Sequence, residues 1–347
     1  MGIFNYFSKD IGIDLGTANS LVYVKGQGIV ISEPSLAAVN NKTNQVLAMG
    51  EEAKKMVGRT PTHITVVRPI INGVISDFEM TEKMLRHFLR KINGNRLFGY
   101  YRAVIGIPTN LTEVERKSVE DAVVSAGAAK SYLIEEPIAA ALGARLPIDE
   151  PIANMIVDIG GGTTEIAIIS MDGTVNARSL KIAGDKLNED IIRFIRDEFK
   201  LAIGEPTAEE LKITIGSAIA TDERLDMPIR GRDMATGLPR EVIVKGSHVR
   251  SAIGRSLRSI LEAVKESIEV APPELVGDIL RQGIYLCGGG SLLRGMDQLI
   301  EREIAVKAAV VDDPLTCVVR GTGIVAEDIE GHSQIFANAL RPIEVNL

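Results

Sequence analysis

Met155-Ile156-Val157-Asp158-Ile159-Gly160-Gly161-Gly162-Thr163-Thr164-Glu165-Ile166-Ala167-Ile168-Ile169 decides the fold, because an earlier stretch shares its pattern: Ile11-Gly12-Ile13-Asp14-Leu15-Gly16-Thr17-Ala18-Asn19-Ser20-Leu21-Val22-Tyr23-Val24. Each reads as a buried strand, a glycine turn and a returning strand. The first copy has strands at 11–15 and 20–24, with a third at 28–31; the second has them at 155–159 and 165–169. Both obey apolar-Asp-apolar-Gly-(Gly-Gly)-Thr. Recurrence at that separation is a duplication at domain scale.

Helical patterns lie between and after these hairpins. Thr112 and Glu115 form a capping-box pair that opens a helix over 113–126, closed by Gly127, with Val114, Val119, Val123 and Val124 as its apolar face. Asp185 caps a second helix running to Lys200 along Leu187, Ile191, Ile195 and Phe199, and Thr207 with Glu210 repeats the capping-box signal. A long helix from Ser247 to about Val270 carries Ile253, Leu257, Ile260, Val264 and Ile268 and stops at Pro272-Pro273; its stripe reads as core rather than interface. A further helical stretch is expected over 292–303. Strands at 103–107 and 283–287 alternate with these helices, which predicts α/β domains with mixed sheets.

Composition narrows the function. The 347 residues carry 39 Lys+Arg against 46 Asp+Glu, a net charge of −7 with no Lys/Arg run longer than two, which argues against nucleic acid as a partner. The length suits about two domains. No apolar run reaches the roughly 18 residues of a membrane span and no cleavable leader is legible, so a cytoplasmic chain is expected. Cys287 and Cys317 form no CxxC pair and stand far apart in sequence, which predicts neither a disulfide scaffold nor a cysteine zinc site.

Three glycine turns carry the candidate chemistry. A glycine after a strand lets backbone N–H groups approach an anion, and two facing turns can grip a polyphosphate from both sides, helped by Thr17, Thr163, Thr164 and Asn19. Asp14 and Asp158, being anions, suit Mg²⁺ held through its waters instead. Plain hairpin geometry is the competing reading, and one copy alone would not exclude it. The third run, Gly288-Gly289-Gly290-Ser291, follows a strand and can admit a ring or ribose. No GxxxxGK[ST] loop is present, and Gly321, Gly323 and Ala326 read as small residues packing a helix rather than a dinucleotide fingerprint.

Asp14-Leu15-Gly16-Thr17-Ala18-Asn19, Ile134-Glu135-Glu136-Pro137-Ile138-Ala139-Ala140-Ala141, Asp158-Ile159-Gly160-Gly161-Gly162-Thr163-Thr164 and Cys287-Gly288-Gly289-Gly290-Ser291-Leu292-Leu293-Arg294-Gly295 resemble the first phosphate, connecting, second phosphate and adenosine motifs of the actin, Hsp70 and sugar-kinase superfamily. Within it the chain is similar to the MreB family of bacterial actin homologues from about residue 9 to 326. Gly58-Arg59-Thr60-Pro61, Arg68-Pro69, Gly73-Val74-Ile75, Ala183-Gly184-Asp185, Gly237-Leu238-Pro239-Arg240 and Pro272-Pro273-Glu274-Leu275 add to that likeness.

The resemblance implies an actin-like ATPase fold: two RNase H-like α/β domains, each with a smaller subdomain, and ATP–Mg²⁺ in the cleft between them. The implied division is 1–36, 71–149 and 318–347 for subdomain IA, 37–70 for IB, 150–184 and 250–317 for IIA, and 185–249 for IIB. It places Thr17, Ala18 and Asn19 on one side of the phosphates and Gly161, Gly162 and Thr163 on the other. Ribose and adenine fall to Glu209, Glu210, Leu211 and Lys212 and to Gly289, Gly290, Ser291 and Leu292. Glu210 departs from the family, which usually has Arg there. Glu136 matches the catalytic carboxylate of a slow ATPase, with Thr163 helping to place water; on its own, Glu136 before Pro137 is equally a helix N-terminal residue.

The same likeness implies self-assembly into paired antiparallel filaments that organise cell-wall synthesis and maintain rod shape, with RodZ, MreC and MreD as partners. It also implies a peripheral location on the inner membrane face. Ile3, Phe4 and Phe7, with Leu97 and Phe98, form two apolar clusters suited to insertion, at about 1.5–3 kcal/mol per buried side chain, although packing beneath a neighbouring loop would also use them. Other actin-superfamily ATPases are the alternatives. A metabolite kinase is usually longer, a chaperone needs a further domain, and plasmid-segregation or division actins differ in the membrane cluster or in a subdomain.

Overall fold

The computed structural model describes residues 10–93, 102–221 and 225–338. Two five-stranded sheets dominate it. The first runs in the order Lys130–Glu135, Arg102–Ile107, Ile11–Leu15, Asn19–Val24, Gly28–Pro34. The second runs Gly173–Leu180, Thr164–Ser170, Asn154–Ile159, Ile284–Cys287, Ala308–Val310. In each, a three-strand antiparallel meander joins a parallel pair through its Asp-bearing strand. The duplication read from two hairpins therefore extends to the pairing of ten strands.

Smaller sheets decorate both units: Gln45–Met49, Ala37–Asn40 and Ile64–Val67 in the first half, Leu201–Ala202, Asp226–Asp233 and Pro239–Lys245 in the second. Between the large sheets lies a shared middle layer made by the helices Glu136–Gly143 and Cys317–Glu327. Small residues let these two helices touch. A side chain at Gly321 would collide with the Ala139 carbonyl, one at Gly143 with that of Cys317, and one at Gly323 would stand 2.6 Å from the Tyr23 ring. Their core joins Val104 and Ile134 of one sheet to Ile156, Ala167 and Ile169 of the other. This continuity fixes the geometry of whatever lies above it.

Several expected elements form as read. The 113–126 helix has its capping box, Thr112 Oγ1 accepting from Glu115 N while Glu115 Oε2 accepts from Thr112 N at 2.8 Å, and Gly127 closes it at φ +123°. Its face differs: Val119, Ala122, Val123 and Ala126 are buried, whereas Val114 is 79% exposed and Val124 half-exposed. A 3.6-residue period through Val119 and Val123 carries those two valines off the stripe. The long helix spans Gly246–Glu269, with Ile253, Leu257, Ile260 and Val264 buried and Ile268 at the margin.

Two capping expectations and one helix boundary are corrected. The second-domain helix is Gly184–Phe199 with Ala183 as N-cap; Asp185 stands inside its first turn and donates its N–H to the Gly161 carbonyl at 2.8 Å. Thr207 caps nothing, because Pro206 lets the helix Glu205–Ile215 start earlier, from Gly204. The stretch expected as one helix over 292–303 is a 3₁₀ turn, Gly289–Leu292, then a helix Met296–Ile304, separated by Gly295 at φ +71°.

Candidate functional site

The two Asp-bearing strands end at one place, and their hairpins interlock there. A Cβ on Gly161 would lie 2.6 Å from the Ala18 Cβ, and one on Gly162 the same distance from Thr17 Oγ1 and 2.9 Å from the Asn72 Cα. Only glycine permits that approach. Gly160 N closes the second turn on the Thr163 carbonyl at 2.9 Å. Thr17 Oγ1 accepts from Gly73 N at 2.9 Å, and Ser35 Oγ donates to the Gly16 carbonyl at 2.6 Å. Thr17, Thr163 and Thr164 are buried, while Asn19 begins the returning strand and is exposed.

Beneath the turns sits a cluster of carboxyls. Asp14 is pushed up to about 7, first by burial and then by repulsion from Asp158. Asp158 rises to about 7 through burial and the charge of Glu165. Glu136, the first residue of its helix, is raised well above the carboxylate range by burial, then by Glu165, Asp14 and Asp158. Such crowding of buried acids is unfavourable unless protons or a cation neutralise it. Among the described residues no three His, Cys, Asp or Glu side chains converge as a direct metal cage.

Glu165 is the participant that sequence reading passed over as a strand residue. It is buried opposite Asp158 in the antiparallel register, and burial raises it against hydrogen bonds from Ser179 and from Thr109, whose Oγ1 donates at 2.8 Å. A single acid inside Thr164–Ser170, otherwise buried and mostly apolar, was the available signal.

The remaining candidates gather around the second hairpin. Gly184 N donates to the Gly160 carbonyl at 3.1 Å, and Lys212 Nζ donates to the Gly184 carbonyl at 3.1 Å. Lys212 and Asn188 both donate to Glu209 Oε2, at 2.7 and 2.6 Å. Burial would push Glu209 up, but the Lys212 charge and these bonds outweigh it and hold it below its ordinary value. Asn188 is buried and its Oδ1 has no partner, a signal absent from any motif. Glu210 is exposed on the outer side of the helix, and the fully buried Leu211 side chain belongs to the core.

The third glycine run closes on the same carboxyls. Gly288, at φ +76°, lies so close that a side chain there would strike the Asp158 carboxyl and the Ile159 carbonyl, and one on Gly290 would strike Ile159. Gly289 meets Leu315, Ser291 Oγ donates to the Gly288 carbonyl at 2.7 Å, and the Leu292 side chain is half-exposed. Arg68 pairs with Glu205, tying the two halves of the chain together. Ile3, Phe4, Phe7, Leu97 and Phe98 lie outside the described residues; among those described, no helix is long and apolar enough to cross a membrane.

Known proteins can be set beside this geometry. The sequence model of the family described as MreB/Mbl protein matches residues 8–334. The cell shape-determining protein Mbl of Bacillus subtilis (strain 168) is 48% identical over 324 residues, covering 93% of this chain and 97% of that one. The cell shape-determining protein MreB of Escherichia coli (strain K12) is 45% identical over 331 residues, covering 94% and 95%. Among solved structures, MreB5 of Spiroplasma citri bound to ADP superposes with a TM-score of 0.90 at 39% identity, covering 94% of this chain and 98% of that one. A MamK double helical filament subunit, at 22% identity and a TM-score of 0.79, shares the fold. With both the whole-chain sequence match and the actin-like architecture in hand, the chain belongs to the MreB/Mbl family.

Proposed function

We propose that this chain binds ATP with Mg²⁺ between its two halves, hydrolyses it slowly, and assembles into paired antiparallel filaments on the inner face of the cytoplasmic membrane, where they organise cell-wall synthesis and rod shape. The interlocked hairpins above Asp14, Asp158 and Glu136 carry this reading. Two glycine turns pack against each other there, and turns of this kind can offer backbone N–H groups to a chain of phosphates. Buried carboxyls pushed to about 7 are short of positive charge, so the donor set fits a hydrated divalent cation. Bound Mg²⁺ would supply charge neutralisation for a triphosphate.

In this reading Thr17, Ala18 and Asn19 face the phosphates from one side and Gly161, Gly162 and Thr163 from the other. Asp14 and Asp158 hold the cation's waters. Glu209, Glu210, Leu211 and Lys212, with the turn Gly289–Leu292, border the ribose and base, Glu210 bringing a carboxylate where the family usually has Arg. Glu136 orients the attacking water with Thr163, work that needs position and electrostatics more than covalent chemistry. Subdomain boundaries at 37–70 and 185–249 fit the two small sheets. Self-association needs only a head-to-tail contact that does not close. RodZ, MreC and MreD are the membrane partners this role calls for, and residues 1–8 with Leu97 and Phe98 are the proposed anchors, firm when many subunits present them together.

The test is light scattering and electron microscopy of purified protein with ATP on lipid. Paired straight filaments support the reading; phosphorylation of a small metabolite without polymer overturns it. Glu136→Ala should bind ATP and hydrolyse it slowly, and full turnover would remove Glu136 from that role. For the membrane, unchanged liposome co-sedimentation after deleting residues 1–8 and replacing Leu97 and Phe98 by Ser would count against insertion.

A further inference from the structure

Cys287 and Cys317, remote in sequence, meet in the middle layer. Both are free thiols buried in the core cluster that links the sheets. Their segments are stitched together: Gly288 N donates to the Pro314 carbonyl at 2.9 Å, and Gly289 packs on Leu315. Burial pushes the Cys287 thiol up, and the neighbouring Cys317 thiol and Asp158 charge push it the same way. Cys317 opens the helix Cys317–Glu327, and Arg320 Nη2 donates to its Sγ at 3.1 Å, so charge on that sulfur is favoured twice over. Neither thiol has a part in the phosphate or cation chemistry described above.

We propose that Cys287 and Cys317 form a peroxide-driven, reversible intramolecular disulfide directly beneath Asp158. The Cys317 thiol gives up its proton and the thiolate attacks one peroxide oxygen; the O–O bond breaks, the departing hydroxide takes up that proton, and Cys317–SOH and water result. Cys287 Sγ then attacks Cys317 Sγ, the S–O bond breaks, and the hydroxyl leaves as water with the Cys287 proton. Hydrogen peroxide is reduced to two waters and the two thiols lose two electrons and two protons. A thiol pair restores both groups by exchange.

The bond has two structural consequences. It removes the Cys287 S–H from Asp158, and it ties the strand Ile284–Cys287 to the start of a helix that packs mainly on the first half, through the helix Glu136–Gly143 and the strand Ile11–Leu15. The second consequence bears on nucleotide, and there the inference rests on the proposed function. Loss of movement between the halves should weaken ATP binding in the oxidised protein. Both thiols are buried, so oxidation requires a local opening that admits peroxide.

The test treats the reduced full chain, free of nucleotide and metal, with hydrogen peroxide, followed by intact mass and non-reducing peptide mapping. Expected are loss of both titratable thiols, a mass lower by two hydrogens, a linked Cys287–Cys317 peptide, and full reversal by dithiothreitol. Cys317→Ser and Cys317→Ala, checked for wild-type melting, should form no link. Cys317 oxidised to sulfinic acid without a link, a link only between molecules, or two thiols still free after prolonged exposure would each overturn the proposal. These readouts need no nucleotide. A fluorescent ATP analogue then tests the coupling: weaker binding after oxidation of the wild type, and none of that change in Cys317→Ser, is expected. If the analogue binds neither form, the proposed function fails while the disulfide stands.

Discussion

Replacing Asp158 by Asn tests the reading of the carboxyl cluster as a charge-deficient site. In the folded chain the group lies at about 7 against an ordinary 3.8. At about 1.36 kcal/mol per pH unit, keeping it ionised costs about 4 kcal/mol above pH 7. The sign follows from the order of the two values. Below pH 3.8 both states are protonated and nothing is lost; stability falls as pH rises through the window from about 4 to 7, and the loss is complete above it. An Asn has no proton to lose, so the variant escapes the loss. Denaturant unfolding without nucleotide and with chelator, at pH 5 and pH 7.5, should show the advantage of Asp158→Asn over wild type growing by about 2–3 kcal/mol. That figure is an upper bound, because Asp14 and Glu165 share the repulsion. Added Mg²⁺ and ATP should shrink the advantage, since a cation relieves the wild type alone. An advantage that does not change with pH would refute the account, whatever its size.

Other substitutions probe the scaffold. Gly162→Val should weaken binding of a fluorescent ATP analogue more than tenfold and cost about 1–3 kcal/mol of stability in denaturant unfolding, because its side chain meets Thr17 Oγ1 and Asn72. Phe88→Ala, emptying one of the largest fully buried positions, should cost about 3–5 kcal/mol in the same measurement with filament geometry preserved where the protein folds. Thr112→Ala should lose the capping box and about 1 kcal/mol. Arg68→Ala and Glu205→Ala in a double-mutant cycle should show coupling below about 1 kcal/mol, as both side chains are partly exposed.

Local chemistry was legible wherever a short stretch decides its own conformation. The two Asp–Gly–Thr hairpins, the Thr112/Glu115 capping box and the long helix through Ile253 and Ile260 needed only turn, capping and periodicity rules, and each formed. Capping at Asp185 and Thr207 misled because a neighbouring Ala183 and Pro206 set where each helix begins. The site's Asp14, Asp158, Glu136 and glycines were named from pattern and likeness. Its Glu165, Asn188 and Arg68–Glu205 parts were not, since their partners are distant in sequence.

By itself, the sequence determined that this is a duplicated α/β chain of the MreB/Mbl family with acids and glycines at strand ends. Strand pattern and motif spacing are local properties, and they survive in a linear text. Only the tertiary structure decided that Gly161 and Gly162 lodge against Ala18 and Thr17, that four carboxyls share one buried space, and that Cys287 and Cys317 are buried in one core cluster. Each of those depends on two halves closing over one middle layer, where burial removes the water that would otherwise keep charges apart and thiols unremarkable.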